Sequence, residues 1–298
     1  MVYMTKNRIC RFSLLALICW YAALPSGGAE PADTSPPFRG KAGLQLYSLR
    51  NQFKKDGLTA LDYATEQGFK EVELGLLNPY GFSKEEMKDA LLKRGLKPIA
   101  GMAPYDELLN KTDKVIETAK FFNVKYVGVS WAARKVPWDE TQVLKVAEDF
   151  NTIGKRLKEN GLQFFFHNHG YEFQPYGDNE TLFDLLMQKT DPELVKLEMD
   201  VLWTVLPGQD PVKLLKKYPD RWILMHLKEL AHGIPKGNLT GRGGPQIETA
   251  IGSGQTDYPA VLKTALEVGV KHFFIEDETP DVLNQIPKSL EFLNNVTF

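Results

Sequence analysis

From residue 42 to its end the chain repeats one phrase: a short apolar run, a polar break, then an amphipathic stretch closing near a glycine. The glycines of Gln67-Gly68-Phe69, Arg94-Gly95-Leu96, Asn160-Gly161-Leu162 and Val268-Gly269-Val270 read as left-handed helix caps that feed straight into the next strand. Strands are predicted near 43–47, 70–75, 97–101, 125–130, 162–167, 195–200, 222–227 and 272–276. Helices are predicted at 57–67, 83–94, 106–122, 139–160, 180–189, 210–217, 257–268 and 281–295. The strand cores, such as Phe164-Phe165-Phe166 and Ile223-Leu224-Met225, are near-continuous apolar runs, as parallel strands covered on both faces require. Eight strands alternating with eight helices predict an α/β chain forming a single (β/α)8 TIM barrel. An open doubly wound sheet would advertise a Gly-rich turn after its first strand, and Tyr47-Ser48-Leu49-Arg50 is no such turn.

The first residues are of another kind. Lys6, Arg8 and Arg11 precede the apolar run Leu14–Leu24, and Pro25-Ser26-Gly27-Gly28-Ala29 follows. That order reads as a secretory signal over 1–29, with 30–41 as a Pro-rich flexible linker and 42–298 as the barrel domain. The apolar run is short for a membrane anchor, and Ile18 before Cys19 is a poor lipoprotein signal. We expect a periplasmic or secreted protein without stable membrane association after cleavage. Both cysteines, Cys10 and Cys19, lie in that leader, which excludes disulfides, thiol nucleophiles and Cys-ligated zinc from the mature chain. A net charge of −2 supplies no basic face for nucleic acid. Oligomeric state is not readable.

Active sites of such barrels form at the C-terminal ends of the strands. There the sequence delivers Glu73, the run His167-Asn168-His169 with Glu172 close behind, Glu198 and Asp200, His226 and Lys228, and Glu276. A single histidine at a strand end is most often a hydrogen-bonded core residue, and one of Glu198 and Asp200 could serve only as a salt-bridge partner. Four adjacent strands converging by chance is another matter. Carboxylates gathered in a barrel mouth repel one another unless a cation sits among them. Imidazole with carboxylate suits one divalent ion, Mn²⁺ first, with Co²⁺, Zn²⁺ or Mg²⁺ as alternatives.

These strand ends, with Gly43-Leu44-Gln45-Leu46-Tyr47-Ser48-Leu49-Arg50, Leu197-Glu198-Met199-Asp200-Val201-Leu202-Trp203, Met225-His226-Leu227-Lys228-Glu229 and Gly252-Ser253-Gly254-Gln255-Thr256-Asp257, resemble the xylose-isomerase-like barrel superfamily. This group of sugar isomerases and epimerases also contains endonuclease-IV-like proteins. The resemblance implies Asp200, His226 and Glu276 as metal ligands. It departs at the fourth: many relatives end strand 5 in Glu-Asn-His where this chain has His167-Asn168-His169. Either His167 replaces that glutamate or Glu172 reaches back to the ion.

A metal that chelates sugar oxygens acidifies the C–H beside a carbonyl. His167, His169 and Glu73 are the acid or base candidates, Lys228 could polarise an oxygen, and Gln45, Tyr47 and Trp203 are assigned to substrate contact. Trp131, Trp138 and Tyr171 also follow strand ends. The Gly-rich stretch 231–255 reads as a flexible lid. The expected function is an exported, metal-dependent isomerase or epimerase of an unphosphorylated sugar, a small-molecule carbohydrate. The alternatives are a 3-keto-glycoside lyase or hydratase, and a non-catalytic sugar-binding barrel. An exported chain without a basic face, and with few histidines, disfavours a repair nuclease.

Overall fold

The computed structural model describes residues 37–132, 135 and 137–298; the predicted signal segment lies outside them. Eight parallel strands close into one barrel: β1 Ala42–Gln45, β2 Glu71–Gly75, β3 Lys97–Met102, β4 Tyr126–Val129, β5 Gln163–His167, β6 Val195–Asp200, β7 Trp222–Leu227 and β8 His272–Ile275. Each strand pairs with its sequence neighbour, and β8 closes on β1 through Ala42↔Phe273 and Leu44↔Ile275. The expected TIM barrel is the observed one. No helix among the described residues is long and apolar enough to cross a membrane.

The helices start where local chemistry says they should. Asp56, Ser83, Asp139, Thr181, Asp210 and Asp257 each accept a first-turn backbone N–H. At Ser83 and Thr181 the reciprocal capping box is complete. Gly68, Gly95, Gly161 and Gly269 have positive φ, as the helix-ending reading required, and Asn123 takes that place (φ 57) after the helix ending at Phe122. One predicted helix is two. The segment expected over 106–122 breaks at Lys111 into Tyr105–Asn110 and Thr112–Phe122. The Asn110 amide donates to Asp106 O and the Thr112 hydroxyl to Leu108 O, so side chains compete for carbonyls near the break.

Alternation along the strands sorts side chains into two sets. Phe164 and Phe166 join the large core between strands and helices, whereas Phe165 belongs to a separate cluster with Ala100, Tyr126, Leu224 and Phe274. The second set fills the barrel interior. Gly128 on β4 is needed there, because a Cβ would sit 2.2 Å from the Phe165 ring. Continuing the same alternation upward places Glu73, His167, Glu198, Asp200 and His226 inside the mouth. The pairing registers of β2 with β3 and of β6 with β7 shift at Val72/Glu73 and Leu197/Glu198. Such irregularities re-aim side chains, and both fall beside an acidic residue of the mouth.

Phe38, inside the stretch expected to be a linker, is fully buried with its ring edge on Phe273 at 4.8 Å. The Gly-rich stretch is anchored rather than free-standing. Glu229–Leu230 pairs with Glu248–Thr249, Ala231 bridges to Gly254, and the Gln255 amide donates to Ala231 O and Ile234 O.

Candidate active site

The cluster is built from single residues on neighbouring strands. His167 Nδ1 lies 2.9 Å from Glu198 Oε2, and its Nε2 lies 3.7 Å from Asp200 Oδ2. His226 Nε2 lies 3.0 Å from Glu73 Oε2 and 3.3 Å from Glu198 Oε2, with its Nδ1 3.3 Å from Glu276 Oε2. Cross-strand register explains the contacts: His167 is opposite Glu198, and Asp200 is opposite His226. Asp200 is held from behind. Its backbone N–H donates to Asn168 Oδ1, the Asn168 amide donates to Asp200 O, and Trp203 N–H donates to Asp200 Oδ1.

Electrostatics make this arrangement unstable by itself. Burial raises the Asp200 carboxyl to about 7. Burial, then the neighbouring Glu73 charge, pushes Glu198 well up. Burial, then His226 and His169, holds His167 well below the usual histidine range. Burial would also depress His226, but Glu198, Glu73 and Glu276 outweigh it and raise that imidazole. Glu73 Oε1, Glu198 Oε1 and Asp200 Oδ2 are buried without any protein hydrogen-bond partner. Orphaned buried acceptors are costly, at roughly 1–3 kcal/mol each and more for charged groups. Unpartnered carboxylate oxygens beside imidazole nitrogens are the donor set of a divalent cation. The described residues form two His/carboxylate groups whose ligand atoms lie within 4.8 Å of one another. These are Asp200–His226–Glu276 and His167–Glu198–His226.

The three expected ligands Asp200, His226 and Glu276 therefore come together. Glu172 joins neither group: its Oε1 accepts His169 N–H at 2.7 Å, and burial raises its carboxyl to about 8. His167, not Glu172, meets the cluster. His169 is stacked on Trp203 (4.6 Å, 25°) and edge-on to Trp131, leaving Nδ1 without a partner. Burial, then Lys228, lowers its pKa to about 3, so it stands neutral. Lys228 is buried among carboxylates: Glu278 at 2.6 Å, Glu276 at 3.1 Å and Glu248 at 3.6 Å. Gln45 is turned inward, its Oε1 accepting Tyr47 N–H. Tyr47 stands on the rim, with Arg50 over its ring at 4.6 Å.

Glu198, Asn168, Glu248 and Glu278 are the polar groups that the structure adds around the predicted set. Glu198 shares a face with Asp200 two residues on, a signal visible in the sequence. Glu248 lies within the Gly-rich stretch, and only the fold shows that it returns to Lys228. In that stretch Gly241 (φ 65) packs so tightly that a Cβ would lie 2.9 Å from His169 O and from the Tyr171 ring.

Residues 61–296 match the family model described as xylose isomerase-like TIM barrel. The chain belongs to this family. Among curated relatives, an inosose dehydratase of Bacillus cereus (strain AH820) is 37% identical over 98 residues, 33% of this chain and 30% of that protein. The match thus spans under a third of that relative's length. An inosose dehydratase of Lacticaseibacillus casei is 25% identical over 249 residues, covering 74% of this chain and 82% of the relative. A solved sugar phosphate isomerase/epimerase from Parabacteroides distasonis superposes with a TM-score of 0.72 at 23% identity, over 91% of this chain and 98% of that one. The IOLI protein, solved with a bound zinc atom, gives 0.60 at 13% identity over 85% of this chain and 95% of its own. At those identities the two structures establish the shared fold. Relatives in this xylose isomerase-like family are named for enzymes that modify sugars and related polyols.

Proposed function

We propose that this chain is an exported, metal-dependent enzyme that removes a proton beside a ketone on an unphosphorylated sugar or cyclic polyol and expels a β-oxygen substituent. The supporting observation is the buried imidazole–carboxylate cluster with its unpartnered oxygens at the barrel mouth. The residues fit a divalent cation, which Asp200, His226, Glu276 and His167 would hold. Bound there, it would supply Lewis-acid polarisation of the ketone.

The chain's own groups supply the rest. His169, fixed between Trp203 and Trp131, offers Nδ1 to take the α-proton. The α C–H bond breaks, a C=C bond forms toward the neighbouring carbon, and that carbon's C–O bond breaks. Lys228, aimed at the mouth by Glu276 and Glu278, is the donor that returns a proton to the leaving oxygen. Elimination is favoured over the isomerisation expected first because the curated relatives reported above, one of them matched over 74% of this chain, are named dehydratases. Isomerisation and epimerisation share the first step and differ in where the proton returns. The leader-like segment is what supports export, and with it an unphosphorylated substrate.

The test is turnover of inososes and 3-keto-β-glucosides by Mn²⁺-loaded protein in D₂O. Release of water or aglycone, abolished by a chelator and restored by Mn²⁺, is the expected result. A moved carbonyl or inverted carbon with nothing released returns the assignment to isomerase or epimerase. Ligand binding without any deuterium uptake makes it a non-catalytic barrel.

A further inference from the structure

The mouth is wider than the polar cluster requires. Beside it, over the ends of β1 to β4, opens a cleft of about 1220 Å³, beyond the roughly 300–1,000 Å³ of ordinary small-molecule sites. Its walls are mixed: Tyr47, Phe53, Leu77, Tyr80, Met102 and Trp131 supply apolar and aromatic surface, and polar and charged side chains such as Lys54, Asn78, Asp106 and Lys114 complete it. The cleft meets the cluster at two places. Trp131 packs on His169 with ring centroids 5.5 Å apart. Tyr80 places its hydroxyl beside Gly75, two residues beyond Glu73.

Tyr80 is also strained. Its φ is 55, a conformation a bulky residue rarely adopts, and its ring stacks on Phe53 at 4.6 Å with planes 18° apart. Such a conformation persists only when surrounding contacts hold it. Here it presents a fixed aromatic wall next to the reacting centre. Tyr47, 44% exposed, faces the same space and is backed by Arg50. The Arg50 guanidinium is already engaged by Tyr47 O, Glu278 O and the Glu278 carboxylate. That cation is not open to an anionic group.

We propose that this cleft is the aglycone subsite, and that the group it takes is a flat, apolar aryl ring. The inference rests on the carbohydrate reading above and narrows it to aryl glycosides. Aromatic walls favour offset or edge-on packing of a flat ring. Asn78, Asp106 and Ser130 also line the cleft and could meet the hydroxyls of a second sugar ring, so cellobiose is the competing occupant, and the flat ring is favoured by the faces of Tyr47, Phe53, Tyr80 and Trp131.

Isothermal titration of p-nitrophenyl β-D-glucoside, methyl β-D-glucoside and cellobiose into the Mn²⁺-loaded full chain tests this, in the wild type and in Met102→Trp and Leu77→Trp. The aryl glycoside is expected to bind about tenfold more tightly than the methyl one, the scale of one aromatic contact with its buried area. Filling the cleft should bring that ratio close to one. Unchanged thermal unfolding midpoints would establish that the variants fold, and soaking the aryl glycoside into wild-type crystals gives an independent check of where the ring sits. Equal binding of aryl and methyl glycosides, or an advantage that survives both variants, overturns the proposal. A cellobiose advantage matching the aryl one overturns the apolar choice. Preserved aryl preference without turnover of any keto-glycoside leaves the subsite standing and removes only the catalytic reading.

Discussion

A carboxylate of β2 meets a histidine at both ends of the barrel. Below, Glu71 Oε2 meets His272 Nδ1 at 2.8 Å, and both side chains are partly exposed. Above, Glu73 meets His226 at 3.0 Å and Glu276 meets it at 3.3 Å, with His226 and Glu73 wholly buried. The Phe165, Leu224 and Phe274 layer separates them. At the lower end water can finish what the pair leaves open, and no buried polar atom of Glu71 or His272 lacks a partner. At the upper end four carboxylate oxygens, on Glu73, Glu172, Glu198 and Asp200, are buried and unpartnered. The difference is one of completeness: a carboxylate–imidazole pair open to water is worth little, whereas a sealed cluster with orphaned oxygens keeps acceptors that a cation would satisfy.

The sharpest way to break this contrast is Asp200→Asn. It should cost more than about 100-fold in metal affinity and turnover, above the 10–100-fold typical of changes to groups behind the ligands. The metal-free variant should nevertheless be at least as heat-stable as the wild type, because one buried carboxylate that resists ionisation is gone. Calorimetry and steady-state kinetics check both halves. Asn168→Ala removes the clamp on the Asp200 backbone without touching its carboxylate, and should fall within that 10–100-fold range of metal affinity. Chelation should next lower the unfolding midpoint. An ion at 100 times its Kd contributes about 2.7 kcal/mol, or about 4–5 °C for a chain of this size.

Two smaller effects probe complete polar sites. Asp184 accepts from Lys217 at 2.7 Å, Tyr218 at 2.5 Å and Thr181 N–H at 2.8 Å. Burial would raise its carboxyl, but the Lys217 and Tyr218 hydrogen bonds prevail and hold it below the usual aspartate value. The stability it contributes is therefore present above pH ~4 and lost as pH falls through the depressed value. Asp184→Asn should cost about 1 kcal/mol at pH 7, with the difference shrinking toward pH 3 in urea melts. His272→Gln should be smallest, under about 1 kcal/mol, with metal affinity unmoved.

What was legible beforehand follows the same division. Barrel strands and glycine caps showed in the sequence because period and backbone geometry are local properties. The Lys111 break did not, since side chains competing for carbonyls leave the amphipathic pattern intact. In the site, Asp200, His226 and Glu276 were readable from strand-end position and family resemblance. That His167 lies against Glu198 and Asp200 while Glu172 turns one oxygen to His169 N–H was not, because it depends on how the chain folds after β5. Glu248 and Tyr80 were hidden for another reason: one reaches the mouth by a long excursion, the other by a positive φ that no residue pattern announces.

Titration of Mn²⁺ into the chelator-stripped full chain, repeated with Asp200→Asn and His272→Gln, reaches the centre of the account. One ion per chain in the wild type, lost with Asp200→Asn and kept with His272→Gln, is the predicted result. Absence of binding in the wild type, or equal binding in Asp200→Asn, would contradict it.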